Sequence, residues 1–491
     1  MLMEKSIVMR ETIRKKDAIL VLTTICALLA LMISIALREK LRSLDGGVIA
    51  TFAANGCVWF FLFAKELRKK PYSLVMLQWF FCLSFFFLAP VAQYFTNWFP
   101  WIAVRSDEIL IRTNIVLFIW TISVLLGETL AKKRFKSSSN GIKKCLFPKI
   151  FSRADIMSEN GDRLESLLPV LSCINIIVMV VFVRQVGFMD LLSRSTRTDV
   201  RFSSAGTVSM MIGGMLQAAC YFSVVISVNR FLKDNRKFIF LLINAAALLV
   251  TYFPAGLARY AIAVLYLGTM LTLFRSWRDN RFFILLFTMS FLIVLPFFSA
   301  FRFGTMEAFD FFKTAYDVVF HISDNLVEPD YDAYTQISLT LEYVDTYGFG
   351  KNHILTVIFF FIPRAVWPGK SFAGGADVAH TRGLFDNVSF PFPALSYIDM
   401  GFLGVILVGI FVGYAMKKMD ALFWDRIDKS GKAVRAYDYL YHVFLTFFLF
   451  LCRGDAFYVW SYMTCYIITW YMIVKASSIR LFRNDRYMAR W

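Results

Sequence analysis

Charge is scarce in this chain: Asp, Glu, Lys and Arg together supply 18% of its 491 residues. No polar stretch is long enough to fold as an independent soluble domain, which excludes a cytosolic enzyme and a nucleic-acid regulator. Catalytic and metal signatures are missing as well. There is no CxxC, HExxH, P-loop or GxGxxG and the four His are scattered, so no metal and no cofactor is expected. Internal repeats and low-complexity segments are absent. Seven of the eight Cys (Cys26, Cys57, Cys82, Cys173, Cys220, Cys452, Cys465) lie on apolar runs and Cys145 lies in a basic loop, a distribution that implies no disulfide framework.

What fills the chain is apolar. Hydrophobic residues make up 58% and aromatics 17%, and the mean hydropathy is +0.59, against a typical apolar share of ~45–50% in soluble proteins. A spanning helix takes roughly 20 apolar residues. Such runs predict about twelve spans, at 18–37, 46–64, 72–95, 109–130, 166–183, 207–228, 238–254, 260–274, 282–301, 400–416, 437–452 and 456–474. The expected fold class is therefore an all-α polytopic integral membrane protein. The first run follows Lys5, Arg10, Arg14, Lys15 and Lys16, is too long for the apolar core of a signal peptide and lacks a small-residue cleavage site. It reads as a retained anchor.

Cytoplasmic loops retain Lys and Arg. Placing both termini inside, as a head over 1–17 and a basic tail over 475–491, puts 36 of the 53 Lys and Arg on the cytoplasmic side. That inside set holds 19 Lys and 17 Arg, whereas the remainder holds 4 Lys and 13 Arg. Topology accounts for the first set but not for the Arg bias of the second. A guanidinium is a planar fork that grips phosphate or carboxylate through two donors, while an ammonium is a hydrated point charge. The outer face thus looks built to hold an anion, unless these arginines face lipid headgroups.

The chain divides into nine spans over 18–301, a large periplasmic loop over 302–399 and three spans over 400–474. A major-facilitator transporter also has twelve helices, but it usually joins its halves by a long inside loop after the sixth, and here that link is only Asn229 to Lys237. Within the large loop, 303–346 is acid-rich and suits helical pieces packed on the membrane surface, interrupted at Pro329. Ile354 to Ile362 is too short to span and suits an interfacial or re-entrant helix. Pro363 and Pro368 exclude helix across the next stretch. Lys370 to Gly375 reads as a Gly turn, and Phe390-Pro391-Phe392-Pro393 leads back into the membrane at Ser396, Tyr397 and Asp399.

Here the chain resembles the bacterial O-antigen, or oligosaccharide repeat-unit, polymerases of the Wzy class. Their Ile-Pro-Arg-x-x-Trp-Pro-x-Lys signature is matched by Ile362, Pro363, Arg364, Trp367, Pro368 and Lys370. A following Ser, acid and Gly-x-x-Gly are matched by Ser396, Asp399, Gly401 and Gly404, and an Arg-Gly-Asp at the end of the penultimate helix by Arg453, Gly454 and Asp455. The topology is similar along nearly the whole chain, and the specific motifs cover about 360–455.

The resemblance implies a metal-independent glycosyltransferase, multi-pass in the bacterial inner membrane, that builds O-antigen or a capsule-like surface polysaccharide. It would move the growing glycan from undecaprenyl diphosphate onto a sugar hydroxyl of a lipid-linked repeat unit at the periplasmic face. Implied partners are undecaprenyl-diphosphate-linked oligosaccharides, membrane lipids, and a chain-length regulator and flippase of the same pathway, with no nucleic acid. Two alternatives stay open. An O-antigen ligase shares the chemistry with another acceptor, and a lipid-linked-oligosaccharide flippase should carry ionisable groups along a central pathway, whereas Arg112, Glu128 and Asp438 lie near helix ends.

The departing diphosphate needs preorganised donors. Arg364 and Arg453 are the leading candidates, with Arg382, Arg302, Arg194, Arg197 and Arg201 behind them. The acceptor hydroxyl needs a proton acceptor, for which His380 is a candidate because histidine is the residue type that titrates nearest neutrality, and Asp399 is the leading carboxylate, with Asp377 and Asp386 in the same stretch. Asp399, at a helix start, equally suits an N-cap. Trp367 and Tyr397 could stack on sugars or belong to an interfacial aromatic belt. His321 and His353 receive no role.

Overall fold

The computed structural model describes residues 44–67, 70, 72–102, 105–138, 164–186, 207–233, 238–254, 257, 259–273, 286, 289–294, 313, 316, 326–383, 388–430 and 436–477. The expected span at 18–37, most of that at 282–301, and Arg194, Arg197, Arg201, Arg302, His321 and Asp386 lie outside these residues. Apart from one bridge between Phe99 and Ile102, the regular structure among the described residues is helical. In chain order the helices are α1 (Gly46–Leu67), α2 (Leu74–Thr96), α3 (Asp107–Ser138), α4 (Leu168–Val186), α5 (Thr207–Lys233), α6 (Ile239–Thr251) and α7 (259–273). There follow α8 (Ala333–Tyr347), α9 (His353–Ile358), α10 (Gly374–His380), α11 (Phe392–Ser430), α12 (Ala436–Arg453) and α13 (Ala456–Ser477). Seven of them, α1 to α5, α11 and α13, are long and apolar enough to cross a membrane. The chain is a polytopic all-α membrane protein.

Lipid-facing and protein-facing sides separate by helical period. Ile115, Phe118, Ile122, Leu126 and Leu130 form one exposed stripe on α3, and Phe402, Leu403, Leu407 and Phe411 another on α11. Large apolar stripes of this kind are stable facing acyl chains, not water. By contrast α2 is central, with every residue from Leu74 to Leu83 buried. It widens into a π turn at Ser84–Leu88, where the Ala89 N–H reaches back to the Ser84 carbonyl. Pro90, just beyond, has no N–H to donate and would crowd the carbonyl four residues earlier, and the wider turn relieves both problems.

Close backbone contact holds α3 to α11. A Cβ added to Gly413 would lie 2.1 Å from the Val124 carbonyl oxygen, one on Gly127 2.1 Å from the Ile410 oxygen, and one on Gly409 2.6 Å from Ser123 Cβ. Gly409 and Gly413 make the small-x-x-x-small spacing that lets two helices touch where there is no hydrophobic drive between them. On the other side of the bundle, α4, α5 and α6 are joined by amide groups. Asn175 donates to Ser223 Oγ (2.6 Å) and Asn244 Oδ1 (2.8 Å), and Asn244 donates to Ser172 Oγ (3.0 Å) and Ser227 Oγ (2.8 Å). All five are buried, so every donor used there replaces one that lipid could not satisfy.

Two expectations for the large loop need correction. First, α8 is not a half-exposed helix: every residue from Ala333 to Leu341 is buried in the protein. Some of its polar side chains are matched inside the protein, with Tyr334 donating to Leu110 O and Asn114 Oδ1 (both 3.1 Å) and Arg105 donating to Ser338 Oγ (2.6 Å), while the side chains of Thr335 and Gln336 are buried without a hydrogen-bond partner among the described residues. Secondly, the helix expected from 400 begins at Phe392, and its backbone leaves the helical region at Met400 and Gly401. Gly401 has φ +56 and an added Cβ would sit 3.0 Å from the Phe349 ring, so only glycine fits the break. Asp399 stands immediately before it.

Candidate functional site

At one end of the bundle the segments 97–102, 105–106, 326–332, 348–383, 388–391 and 453–455 meet. Their centre is His353, the first residue of α9, whose side chain is 1% exposed. Its Nδ1 is 3.0 Å from Asp399 Oδ1 and its Nε2 is 2.8 Å from Asp377 Oδ2. Asp399 also accepts the backbone N–H groups of His353 (3.0 Å) and Ile354 (2.7 Å). One carboxylate on α11 therefore satisfies the opening donors of α9 and orients the imidazole. The expected N-cap role of Asp399 holds in altered form, because the helix it caps is not its own.

Burial alone would lower the His353 pKa, but hydrogen bonds to Asp377 and Asp399 and their charges outweigh it and lift it to about 9. At neutral pH the group is an imidazolium between two carboxylates. The three are not equally accessible: the side chains of His353 and Asp399 are 1% and 8% exposed, and that of Asp377 is 21% exposed. Asp377 is the outlet of the chain.

The local fold fixes Asp377 through glycine. α10 opens with Gly374 and Gly375, where the expected turn becomes a short helix. A Cβ on Gly374 would lie 2.2 Å from the Phe390 ring, and the Gly375 N–H donates to Asp455 Oδ2 at 3.0 Å. The other oxygen of Asp455 accepts the Phe457 N–H at 2.9 Å, which starts α13. Burial pushes the Asp455 carboxyl up against the pull of these two donors. The Arg-Gly-Asp tripeptide is thus an internal corner that ties α12, α13 and α10 together.

Arginines ring this centre in two kinds of setting. Arg105 and Arg382 share Glu342: Arg105 contacts both its oxygens (3.0 and 3.1 Å) and Arg382 Nη2 contacts Oε2 at 2.6 Å. Two guanidinium groups converge on one carboxylate, and Arg382 is 39% exposed. Burial lowers the Arg105 pKa, with Glu342 opposing. The neighbouring Tyr343 is pushed up by burial and then by the negative charge of Asp377, which brings this pair and the carboxylate outlet together.

Arg453 and Arg364 are engaged internally. Arg453 Nη2 lies 3.7 Å from Asp330 Oδ1, 3.9 Å from Asp332 Oδ1 and 3.4 Å from the Pro329 carbonyl. Asp332 is buried and also accepts Trp101 Nε1 (2.7 Å) and the Ser389 N–H (3.2 Å), while burial pushes its carboxyl up. Arg364 donates to the carbonyls of Lys370 and Ser371 and stacks on Phe372, its Cζ 4.1 Å from the ring centroid. Residues 363–369 form turns without helix, as the two prolines require.

His380 is exposed on the last turn of α10, away from the buried chain of acids and imidazole. Trp367 is half-buried within the turn. Tyr397 is buried, edge-on to Phe349 (5.8 Å) and Phe402 (5.4 Å). Of the residues singled out in the sequence, the structure brings Asp377, Asp399 and Arg382 into one neighbourhood. The residue missed is His353. Its partners lie 24 and 46 positions away, and the only local signal was a lone titratable side chain at the start of an apolar run.

Among the described residues no group of three or more His, Cys, Asp and Glu is arranged to hold a metal ion. No family model, curated protein or solved structure matches the chain.

Proposed function

We propose that the chain is a membrane glycosyltransferase that joins undecaprenyl-diphosphate-linked oligosaccharide units, with Asp377, His353 and Asp399 as its proton-handling centre. The observation that supports this is a buried imidazole held between two carboxylates, open to the outside at Asp377 and flanked by Arg105 and the exposed Arg382. In this reading the acceptor hydroxyl gives its proton to Asp377 as its oxygen bonds to the anomeric carbon of the donor. The bond from that carbon to the diphosphate oxygen breaks, and its electron pair leaves with the diphosphate. His353 and Asp399 are positioning residues, since they hold Asp377 aimed. Arg382, with Arg105 behind it, stabilises the charge that develops on the leaving group. Arg194, Arg197, Arg201 and Arg302 are further contributors, while Arg364 and Arg453 shape the site through the carbonyls and acids they hold. Trp367 offers a half-buried ring at its edge.

The finer topology belongs to the same proposal: about twelve spans, both termini cytoplasmic, and the segment preceding α11 in the periplasm of a bacterial inner membrane. Lys65, Lys132 and Lys417, at the opposite end from the site, favour that end as the cytoplasmic one. Chain-length control and the flippase would meet the enzyme there or along its flanks.

A deletion strain tests the reading. Lipopolysaccharide carrying a single repeat, restored to a full ladder by the intact gene but not by Asp377→Asn at equal protein level, is the expected result. Bare core would overturn it in favour of a ligase or flippase.

A further inference from the structure

Residues 353–372 present two faces of opposite character. On α9, His353 and Thr356 point inward, with Phe360 in the turn beyond, while Leu355, Ile358 and Phe359 are 45%, 50% and 40% exposed. Beyond the helix the turn exposes Phe361, Phe372 and, most of all, Val366 at 74%. Between His353 and Lys370 the only charged side chain is Arg364.

A non-helical turn is tolerated in a low-dielectric layer only when its carbonyls find donors within the protein. This turn carries them. The buried Lys370 ammonium donates to the carbonyls of Phe360 (2.7 Å) and Ile362 (2.8 Å) and sits 5.4 Å from the Phe457 ring centroid. The single exposed charge, Arg364, is folded back onto two further carbonyls and onto Phe372. Burial, and then the charge of Arg364, lower the Lys370 pKa, as an ammonium held away from water requires. The outward apolar face also continues a lipid-facing surface already described. α9 packs on α11 and α13, beside the exposed Phe402 and Leu403 of one and Tyr458 of the other.

We infer that residues 355–372 form a tip that dips into the acyl layer of one leaflet, with Phe361, Val366 and Phe372 leading and Lys370 and Arg364 satisfying the turn from within. The occupant of the apolar face is lipid. Such a tip seats His353 and Asp377 at the level of lipid headgroups, whatever reaction they serve, and the inference does not rest on the proposed chemistry.

The test uses the full-length protein with its native cysteines replaced, a single Cys at Val366 or at Thr381, and a nitroxide on each, in vesicles of phosphatidylethanolamine and phosphatidylglycerol. Thr381 is exposed at the end of α10 and reports the aqueous side. The label at 366 should show several-fold higher accessibility to oxygen than to a water-soluble nickel complex, and the label at 381 the reverse. Equal nickel accessibility at both positions would overturn the inference. So would protection of position 366 from both reagents, which would mean that a second copy or another protein covers the face. Helical content and elution volume matching the unlabelled protein guard against misfolding as the cause.

Discussion

α11 carries a buried carboxylate near each end, and the two are used differently. Asp420 accepts the N–H groups of Leu74 (2.9 Å) and Val75 (3.1 Å) at the start of α2, and Tyr441 Oη donates to it at 2.7 Å. Asp399 accepts the opening N–H groups of α9 and the imidazole of His353. Both are caps supplied from a distant part of the chain. The difference lies in the third donor. A tyrosine hydroxyl closes the Asp420 cluster, since Tyr441 is buried and stacked on Phe423 at 3.9 Å. An imidazole has a second nitrogen, so the Asp399 cluster continues to Asp377 and reaches solvent. The comparison teaches that a buried carboxylate cluster can close within the protein, as at Asp420, or continue to solvent, as from Asp399 through His353 to Asp377, and that what distinguishes them is whether the hydrogen-bond chain has an exit.

The comparison depends on α11 joining both ends as one element, and that can be broken at its glycines. Gly413→Leu would drive a side chain into the Val124 backbone, overpacking that costs about 3 kcal/mol or more. Both clusters should fail together, seen as lost expression or a large drop in detergent-solubilised melting temperature. A variant that accumulates and melts normally would show that the two ends are independent.

Raising the pH separates the ends next. The folded pKa of His353, about 9, lies above the ordinary 6.5. Its protonation therefore contributes stability that is fully present below pH 6.5 and is lost as the pH rises through about 9. The loss is on the order of 3 kcal/mol. Melting temperature should fall between pH 7 and pH 10 by more in the intact protein than in His353→Gln, and an equal fall in both would remove His353 as the cause.

A smaller effect is expected at the closed end. Asp420→Asn keeps the shape but weakens three accepted hydrogen bonds, so stability should fall by about 1–3 kcal/mol while activity per folded molecule is kept. Loss of activity without loss of stability would mean that this end is functional too. Smallest is Arg364→Ala at the exposed turn, about 1 kcal/mol of stability. Arg364→Lys should recover only part of it because the planar fork is lost. Full polymer ladders from a well-expressed Arg364→Ala would leave it a structural role alone.

The helical runs were legible because a bilayer demands about 20 apolar residues whatever surrounds them. Runs expected at 46–64, 72–95, 109–130, 166–183 and 207–228 coincide with α1 to α5, and those at 437–452 and 456–474 with α12 and α13. Where polar pattern mattered, sequence was a weaker guide. α8 alternates Thr, Gln and Ser with Ile and Leu and reads as half-wet, but Arg105 in the turn before α3 answers its Ser338, and Leu110 and Asn114 on α3 answer its Tyr334. Its burial is a property of its partners. Asp377, Asp399 and Arg382 could be singled out from the sequence, because carboxylates and arginines in the second half of the outer segment are few. His353 could not, since its role is set by two acids brought to it by α10 and by the Gly401 break in α11. Arg364 and Arg453 stand out by the motifs they match, and the folded turns reveal the carbonyls and acids they hold.

The central claim is that the open chain ending at Asp377 handles protons and the closed one at Asp420 does not. Turnover of a lipid-diphosphate-linked oligosaccharide by purified protein, compared among the intact chain, Asp377→Asn and Asp420→Asn at equal amounts of folded protein, tests it most directly. The account predicts that Asp377→Asn, compared at equal folded protein, loses roughly two to four decades in rate, while Asp420→Asn turns over normally. Near-normal turnover by Asp377→Asn would contradict it.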